Sequence, residues 1–231
     1  GLFIITSGEA TAKICQWIDF YTFVEDVSLR NVSDETGHVR LIGTEYLAGA
    51  IDSGRLVKIH QSSKVTVFGI PCLVIRTKMD YVPCLDIITL RGPSEPLLDS
   101  LSREYQLIDS DEFEDLRITL GLPMFGKELT EEYNPLEIGL KSHISFNKGC
   151  YIGQEVVARL NTYDKVQRKL VALSWVGELP SKGITKDGRQ VGMVTSCGKG
   201  NGIGLVRKTH AESGTNLFCG SVPVTIRSVL S

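Results

Sequence analysis

The stretch of this sequence richest in usable chemistry is Lys148-Gly149-Cys150-Tyr151-Ile152-Gly153-Gln154-Glu155. It sets a thiol beside an ammonium group in a glycine-flanked turn, just ahead of a short helical run predicted from Glu155 to Leu160. A helix start exposes unpaired backbone N–H groups and a partial positive charge, so a thiol there is favoured as thiolate and an anion is held well. Gly149 and Gly153 permit backbone angles that other residues resist and let a ligand or a neighbouring segment come close. Gln154 and Glu155 fall in the first turn, where both side chains can reach a ligand or cap the helix. The same residues fit a plainer reading equally well: a buried cysteine used as a small hydrophobe, and glycines that only build a turn.

Two further charged residues are candidates. Arg117 follows Phe113 by four residues and precedes Leu120 by three, so it sits on or beside the apolar face of a predicted helix. A guanidinium there needs a carboxylate, a carbonyl or a ligand; the alternative is a stem that snorkels its head to water. Glu137 follows a proline and precedes Ile138-Gly139-Leu140, in a segment from 121 to 147 with little periodicity. It is a carboxylate on stiff backbone, open to a ligand, to solvent or to a structural ion pair.

Other chemistries are excluded or disfavoured. The six cysteines lie far apart, with no C-x-x-C pair, and the four histidines form no metal-ligand motif, so no metal site is predicted and the thiols read as reduced and intracellular. A formal net charge of -2 with scattered Lys and Arg argues against a nucleic-acid binder. No apolar run reaches the roughly 20 residues of a membrane span. Gly198-Lys199-Gly200-Asn201-Gly202 matches no phosphate-loop pattern and reads as a hairpin turn.

The elements that must position these residues follow from periodicity. Leu2 to Ile5 reads as a strand in progress, so a processed or truncated chain is expected, with a targeting segment already removed. Ser7 caps a helix with Ala10, Ile14, Trp17, Ile18 and Tyr21 at helical spacing. Val27 with Leu29, and Val39 with Leu41, alternate as half-buried strands. A helix over Thr44 to Ile51 and a strand around Leu56 to Ile59 follow, in the order of a split βαβ unit. Val65 to Phe68, Cys72 to Arg76 and Cys84 to Leu90 continue an antiparallel sheet. Ser94 starts a helix. Asp109 and Glu112 form a capping box for the next, which buries Phe113, Leu116 and Leu120 and stops near Gly121 and Pro123. From about Val166 the composition shifts to short strands over 170–175, 190–195, 202–207 and 222–226, as in a small β-barrel or sandwich. The fold class is α+β, with domains predicted at 1–165 and 166–231.

The motif KGCYIGQE, preceded by RITLGLPMFGKEL and YNPLEIGL, resembles the folate-binding YgfZ family, relatives of the glycine-cleavage T-protein (aminomethyltransferase). The resemblance covers most of the chain. Ala158 to Tyr163 resembles versions from photosynthetic lineages. The resemblance implies ferredoxin-like subdomains of an aminomethyltransferase-like fold with a C-terminal barrel, around a folate channel. It implies tetrahydrofolate as cofactor and iron-sulfur assembly or client proteins as partners, with no nucleic acid and no membrane. It also implies a setting in plastid stroma, or alternatively mitochondrial matrix or bacterial cytoplasm. Cys150 matches the residue tied to function. Arg117, Glu137, Lys148, Gly149, Tyr151, Gly153, Gln154 and Glu155 lie in motifs implied to bind the cofactor. The first segment of the family is absent, and in the transferases it carries the catalytic aspartate. Arg76-Thr77-Lys78-Met79-Asp80-Tyr81 stands where those transferases have Gly-Tyr-Thr-Gly-Glu. The expected function is a tetrahydrofolate-binding accessory protein for iron-sulfur proteins, with a one-carbon transferase and a cluster-sharing scaffold as alternatives.

Overall fold

A computed structural model describes the chain except residues 1, 46, 48–49, 52–57, 91, 93 and 164. The chain divides into two compact units, Gly1–Ile108 and Asp109–Ser231.

Unit 1 is a five-stranded antiparallel sheet in the order β1-β5-β4-β3-β2. Its strands are β1 (His38–Ile42), β2 (Ala50–Ile51), β3 (Ser62–Val67), β4 (Ile70–Met79) and β5 (Val82–Thr89), with helices α1 (Gly8–Phe20) and α2 (Glu95–Leu101). Side chains alternate across a strand, so the register sorts them into two faces. Leu41, Cys72, Val74, Leu85 and Ile87 share one face and pack with Leu97 and Leu101 of α2 into a core. His38, Arg40, Asp86 and Ile88 share the other.

Several expectations for unit 1 are corrected. Leu2 to Ile5, and Val27 with Leu29, are not strands; neither stretch pairs with another strand among the described residues. β-patterning describes side-chain alternation, but a strand exists only where another backbone accepts its hydrogen bonds. The predicted helix over Thr44 to Ile51 lies partly outside the described residues, and its described end, Ala50–Ile51, is strand β2. Of the strand predicted at Leu56 to Ile59, residues 56 and 57 lie outside the described residues, and Ile59 is in a turn. Ser7 is the N-cap of α1 by position but its side chain makes no cap bond, and α1 buries Ala10 alone. Trp17 and Tyr21 stay half exposed, their rings 5.3 Å apart.

Unit 2 contains α3 (Ser110–Leu120), α4 (Gln154–Thr162) and a closed barrel in the order β10-β11-β6-β9-β8-β7. The strands are β6 (Arg168–Trp175), β7 (Gly183–Lys186), β8 (Arg189–Cys197), β9 (Asn201–Arg207), β10 (Asn216–Cys219) and β11 (Val222–Val229). Strands β7 and β10 are too short to show periodicity in sequence. Residues 198–200 form the β8–β9 hairpin turn, and Asn201 and Gly202 of the stretch expected to be the turn open β9. Inside the barrel Val171, Leu173 and Trp175 of β6 meet Ile184, Val194 and Val224. A Cβ on Gly202 would lie 2.7 Å from the Trp175 ring and one on Gly204 2.9 Å from Leu173 Cδ1, so these glycines make room for the large β6 side chains.

The outward side of β6 and β9 is buried too. Leu170, Ile203 and Leu205 pack with Ile118 of α3 and Ile138 of the following segment. That is why both strands read as nearly continuous apolar runs. The capping box of α3 is complete: Asp109 Oδ1 accepts from the backbone N–H of Glu112 at 2.8 Å, and Glu112 Oε2 from that of Asp109 at 2.9 Å. Gly121 ends the helix at φ 71°. The residues α3 buries are Arg117 and Ile118, whereas the predicted Phe113, Leu116 and Leu120 are only half-buried. Because α3 lies on a barrel rather than a flat layer, its buried stripe is narrow and centred one position later.

Ile118→Ala should open a cavity where helix, loop and barrel meet and cost about 2–5 kcal/mol in urea denaturation. Gly139 sits at φ 79°, and a Cβ there would overlap the carbonyl oxygen of Leu230. Gly139→Ala is therefore expected to lower the thermal midpoint as well, with the helical content of α3 retained in circular dichroism.

Candidate functional site

The turn from Lys148 to Gly153 leads into α4, whose N-cap Gly153 takes φ 83°. A left-handed angle there suits glycine and no bulky residue, which explains the second glycine of the motif. Gln154 folds its own turn: Oε1 accepts from the backbone N–H of Tyr151 at 3.2 Å. The Lys148 ammonium lies 4.7 Å from the centre of the Tyr151 ring, a cation–π contact. Cys150 is exposed, as are Gly149, Gly153 and Glu155. Of the two readings open in the sequence, burial as a small hydrophobe is set aside by this exposure. Lys148, Gly149, Cys150, Tyr151, Gly153, Gln154 and Glu155 are thus gathered on one turn and one helix start.

Arg117 and Glu137 are placed differently. Arg117 is 2% exposed and gives its donors to the protein. Nε and a terminal nitrogen bond Glu114 at 2.7 and 2.5 Å, and that same nitrogen reaches Ser196 Oγ at 2.6 Å. The other terminal nitrogen bonds the Leu122 carbonyl at 2.8 Å and Glu128 at 3.4 Å. Glu137 is 7% exposed and takes two bonds from Arg168, each 2.9 Å, and one from the Asn134 backbone at 3.2 Å. The hydrogen bonds to Glu137 raise the Arg168 pKa against its partial burial. Arg168 also stacks 5.1 Å from the Tyr133 ring centre.

The residue that sequence reasoning missed is Glu128, with no exposed surface. Oε1 accepts from Thr195 Oγ1 at 2.5 Å and Ser196 Oγ at 2.6 Å, and Oε2 from the Met124 backbone at 3.1 Å. The one signal for it was indirect: an arginine on an apolar helix face demands a buried acid. Among the described residues no group of three or more His, Cys, Asp or Glu is arranged to hold a metal ion. No described helix is long and apolar enough to cross a membrane.

An α+β unit is followed in sequence by a helix and an irregular segment packed on a six-stranded closed barrel. Residues 167–229 match the family described as CAF17, C-terminal beta-barrel domain. The Arabidopsis thaliana protein named "Putative transferase At1g60990, chloroplastic" is 44% identical over 115 residues, 47% of this chain and 27% of that protein. Aminomethyltransferase of Caldanaerobacter subterraneus subsp. tengcongensis is 26% identical over 237 residues, covering 93% of this chain and 62% of the enzyme. That of Thermotoga maritima is 28% identical over 215 residues, covering 85% and 58%. The matches thus span less than two thirds of each relative's length. Residues 167–229 are thus similar to a CAF17 C-terminal barrel and most of the chain is similar to aminomethyltransferases, in agreement with the YgfZ resemblance of Lys148 to Glu155.

Glu128→Gln should cost about 3–5 kcal/mol, because it leaves Arg117 buried without its inner counter-charge. Glu114 gives a pH signature. Partial burial pushes its carboxyl up, but hydrogen bonds from Arg117 and Lys127 outweigh this and hold it below its ordinary value of 4.5. A depressed folded pKa lends stability that is complete above the unfolded value and lost as pH falls through the folded one. Glu114→Gln is expected to flatten the decline in thermal midpoint between about pH 5 and pH 3.

Proposed function

We propose that this chain is a tetrahydrofolate-binding accessory protein in the assembly or maintenance of iron-sulfur proteins in the plastid, acting through the Cys150 thiol. The observation that carries the reading is the K-G-C-Y-x-G-Q-E signature with its sulfur exposed on a glycine turn, in a chain alignable with aminomethyltransferases over 93% of its length. The plastid setting is supported by the chloroplastic relative.

In this reading the ligand meets the turn rather than the buried frame. Tetrahydrofolate has a planar pterin and an anionic glutamate tail. Tyr151 offers a ring for stacking, while Lys148 and the backbone N–H groups around Gly149 and Gly153 suit the anion. Glu155 and the free amide group of Gln154 supply polar contacts. Arg117 and Glu137 act one layer behind, fixing the segment that leads into the turn. When bound, the cofactor supplies a one-carbon carrier; the chain's own residues bind and orient it and keep the thiol accessible. A lone thiol cannot complete the four ligands of a cluster, so any cluster is held jointly with a partner chain.

Isothermal titration with tetrahydrofolate should show saturable binding that Lys148→Ala weakens and Cys150→Ala leaves intact. Cys150→Ala should instead abolish restoration of iron-sulfur enzyme activity in a plastid extract depleted of the protein. No binding at millimolar ligand would remove the folate half, and full restoration by Cys150→Ala the thiol half. The relation to aminomethyltransferases favours one second reading, aminomethyl-type transfer. Turnover of methylene-tetrahydrofolate with a supplied amine would establish it in place of the accessory role.

A further inference from the structure

The second face of the unit 1 sheet holds chemistry that the Cys150 turn does not use. Asp86 is 2% exposed and both its oxygens are taken. Oδ1 is bonded by His38 Nε2 at 2.8 Å and Arg40 Nε at 2.7 Å; Oδ2 by an Arg40 terminal nitrogen at 3.1 Å and Thr77 Oγ1 at 2.8 Å. Burial alone would push this carboxyl up. The hydrogen bonds from His38, Arg40 and Thr77, with the Arg40 charge, outweigh it and hold Asp86 well below the ordinary carboxylate range. It is therefore an acceptor only, and the imidazole nitrogen against it carries the hydrogen. With Nε2 given to Asp86, Nδ1 is the ring nitrogen left for another partner. Among the described residues Nδ1 has no hydrogen-bond partner.

His38 lines a cavity of about 650 Å³ inside unit 1. The lining is mixed: Ile14, Ile18 and Ile88 give it an apolar side, and Ser28, Asn31 and Thr36 are among the polar residues of the rest. That volume and lining suit a small organic ligand, for which cavities run to roughly 300–1,000 Å³. The other ionisable groups of this region are Arg40 and Asp86 on the sheet, Arg30 in an ion pair with Glu35, and Cys15 of α1.

We propose that this cavity binds a small, mostly apolar aromatic molecule carrying one acidic hydroxyl, and that His38, oriented by Asp86, is the base that accepts the hydroxyl proton. The hydroxyl proton passes to Nδ1, and the ligand oxygen keeps the electron pair as an aryloxide. The ring, now protonated at both nitrogens, is stabilised by the carboxylate behind it. Proton exchange is most effective when donor and acceptor have similar proton affinities. An aliphatic alcohol holds its proton too tightly for imidazole, and a carboxylic acid has none left at neutral pH. The apolar side independently favours an aromatic body. This site is separate in residues from the Cys150 turn and does not rest on the folate reading.

The probe is 4-nitrophenol, added to the full chain at a pH where the free phenol is mostly neutral. Saturable growth of the phenolate absorption band is expected, together with movement of the His38 imidazole resonances in NMR and none at His60, His143 or His210. His38→Gln should weaken binding roughly tenfold or more, the loss expected of a hydrogen bond to a charged group, and abolish the band. Cys150→Ala should leave the band unchanged. The proposal is overturned if the wild-type chain shows no saturable band, if His38→Gln, folded by circular dichroism, keeps it, or if the His38 resonances stay still.

Discussion

The constraint on which unit 2 depends is the burial of two opposite charges, Arg117 at 2% and Glu128 at 0% exposure. Removing such groups from water is costly, and their mutual attraction offsets the cost only when the remaining donors and lone pairs are also used. Here they are used by partners from three places: Glu114 on α3, the backbone of Leu122 and Met124 just after it, and Thr195 with Ser196 on β8. Satisfying one ion pair therefore fixes the helix, the start of the irregular segment and a barrel strand together. Hydrophobic packing of Ile118, Ile138, Leu170 and Ile203 supplies the apolar half of the same junction. Packing alone is permissive about registry, whereas the guanidinium geometry allows one arrangement.

That rigidity explains how a segment without regular structure can hold the turn that follows it. Between 121 and 147 the chain is pinned by Glu128 near its start and by the Glu137–Arg168 pair further on, with Tyr133 stacked on Arg168. After this the chain opens outward. From Lys148 to Glu155 the contacts are few and local: a cation–π contact and one side-chain bond to the turn's own backbone. The Cys150 sulfur is left exposed on this base. Ile152 and Val156, both exposed beside it, make the same surface less polar than an ordinary loop.

Features set by neighbours in sequence were legible, and features set by distant neighbours were not. The capping box of Asp109 and Glu112 and the left-handed Gly121 close over three or four residues, so spacing sufficed to find them. The four longer barrel strands and the strands from β3 to β5 were legible because alternation or apolar runs persist over six or more residues. Leu2 to Ile5 carries the composition of a strand but pairs with no strand among the described residues, and β7 and β10 have partners but little composition to announce them. The turn at Cys150 was legible from its glycines, but the exposure of its thiol was not, because a buried small hydrophobe fitted the same residues. Glu128 was not, since an acid between Lys127 and Leu129 looks like surface until the fold brings Ser196 to it.

Asp86 and Glu128 show how one device serves two ends. Each is a buried acid with its oxygens saturated by protein donors, so neither can take a bond from a ligand without breaking one inside. What differs is the far side of the donors. Arg117, against Glu128, has a side chain only 3% exposed and its remaining groups are bound, so its donors are spent within the protein and its work is mechanical. His38 and Arg40, against Asp86, keep 38% and 37% of their side-chain surface open. The carboxylate fixes one side of each while part of the side chain stays exposed, the condition under which a buried charge orients a group instead of merely tying elements together. Burial of the acid makes the hub strong; exposure of the partner decides whether that strength acts on the fold or on a ligand.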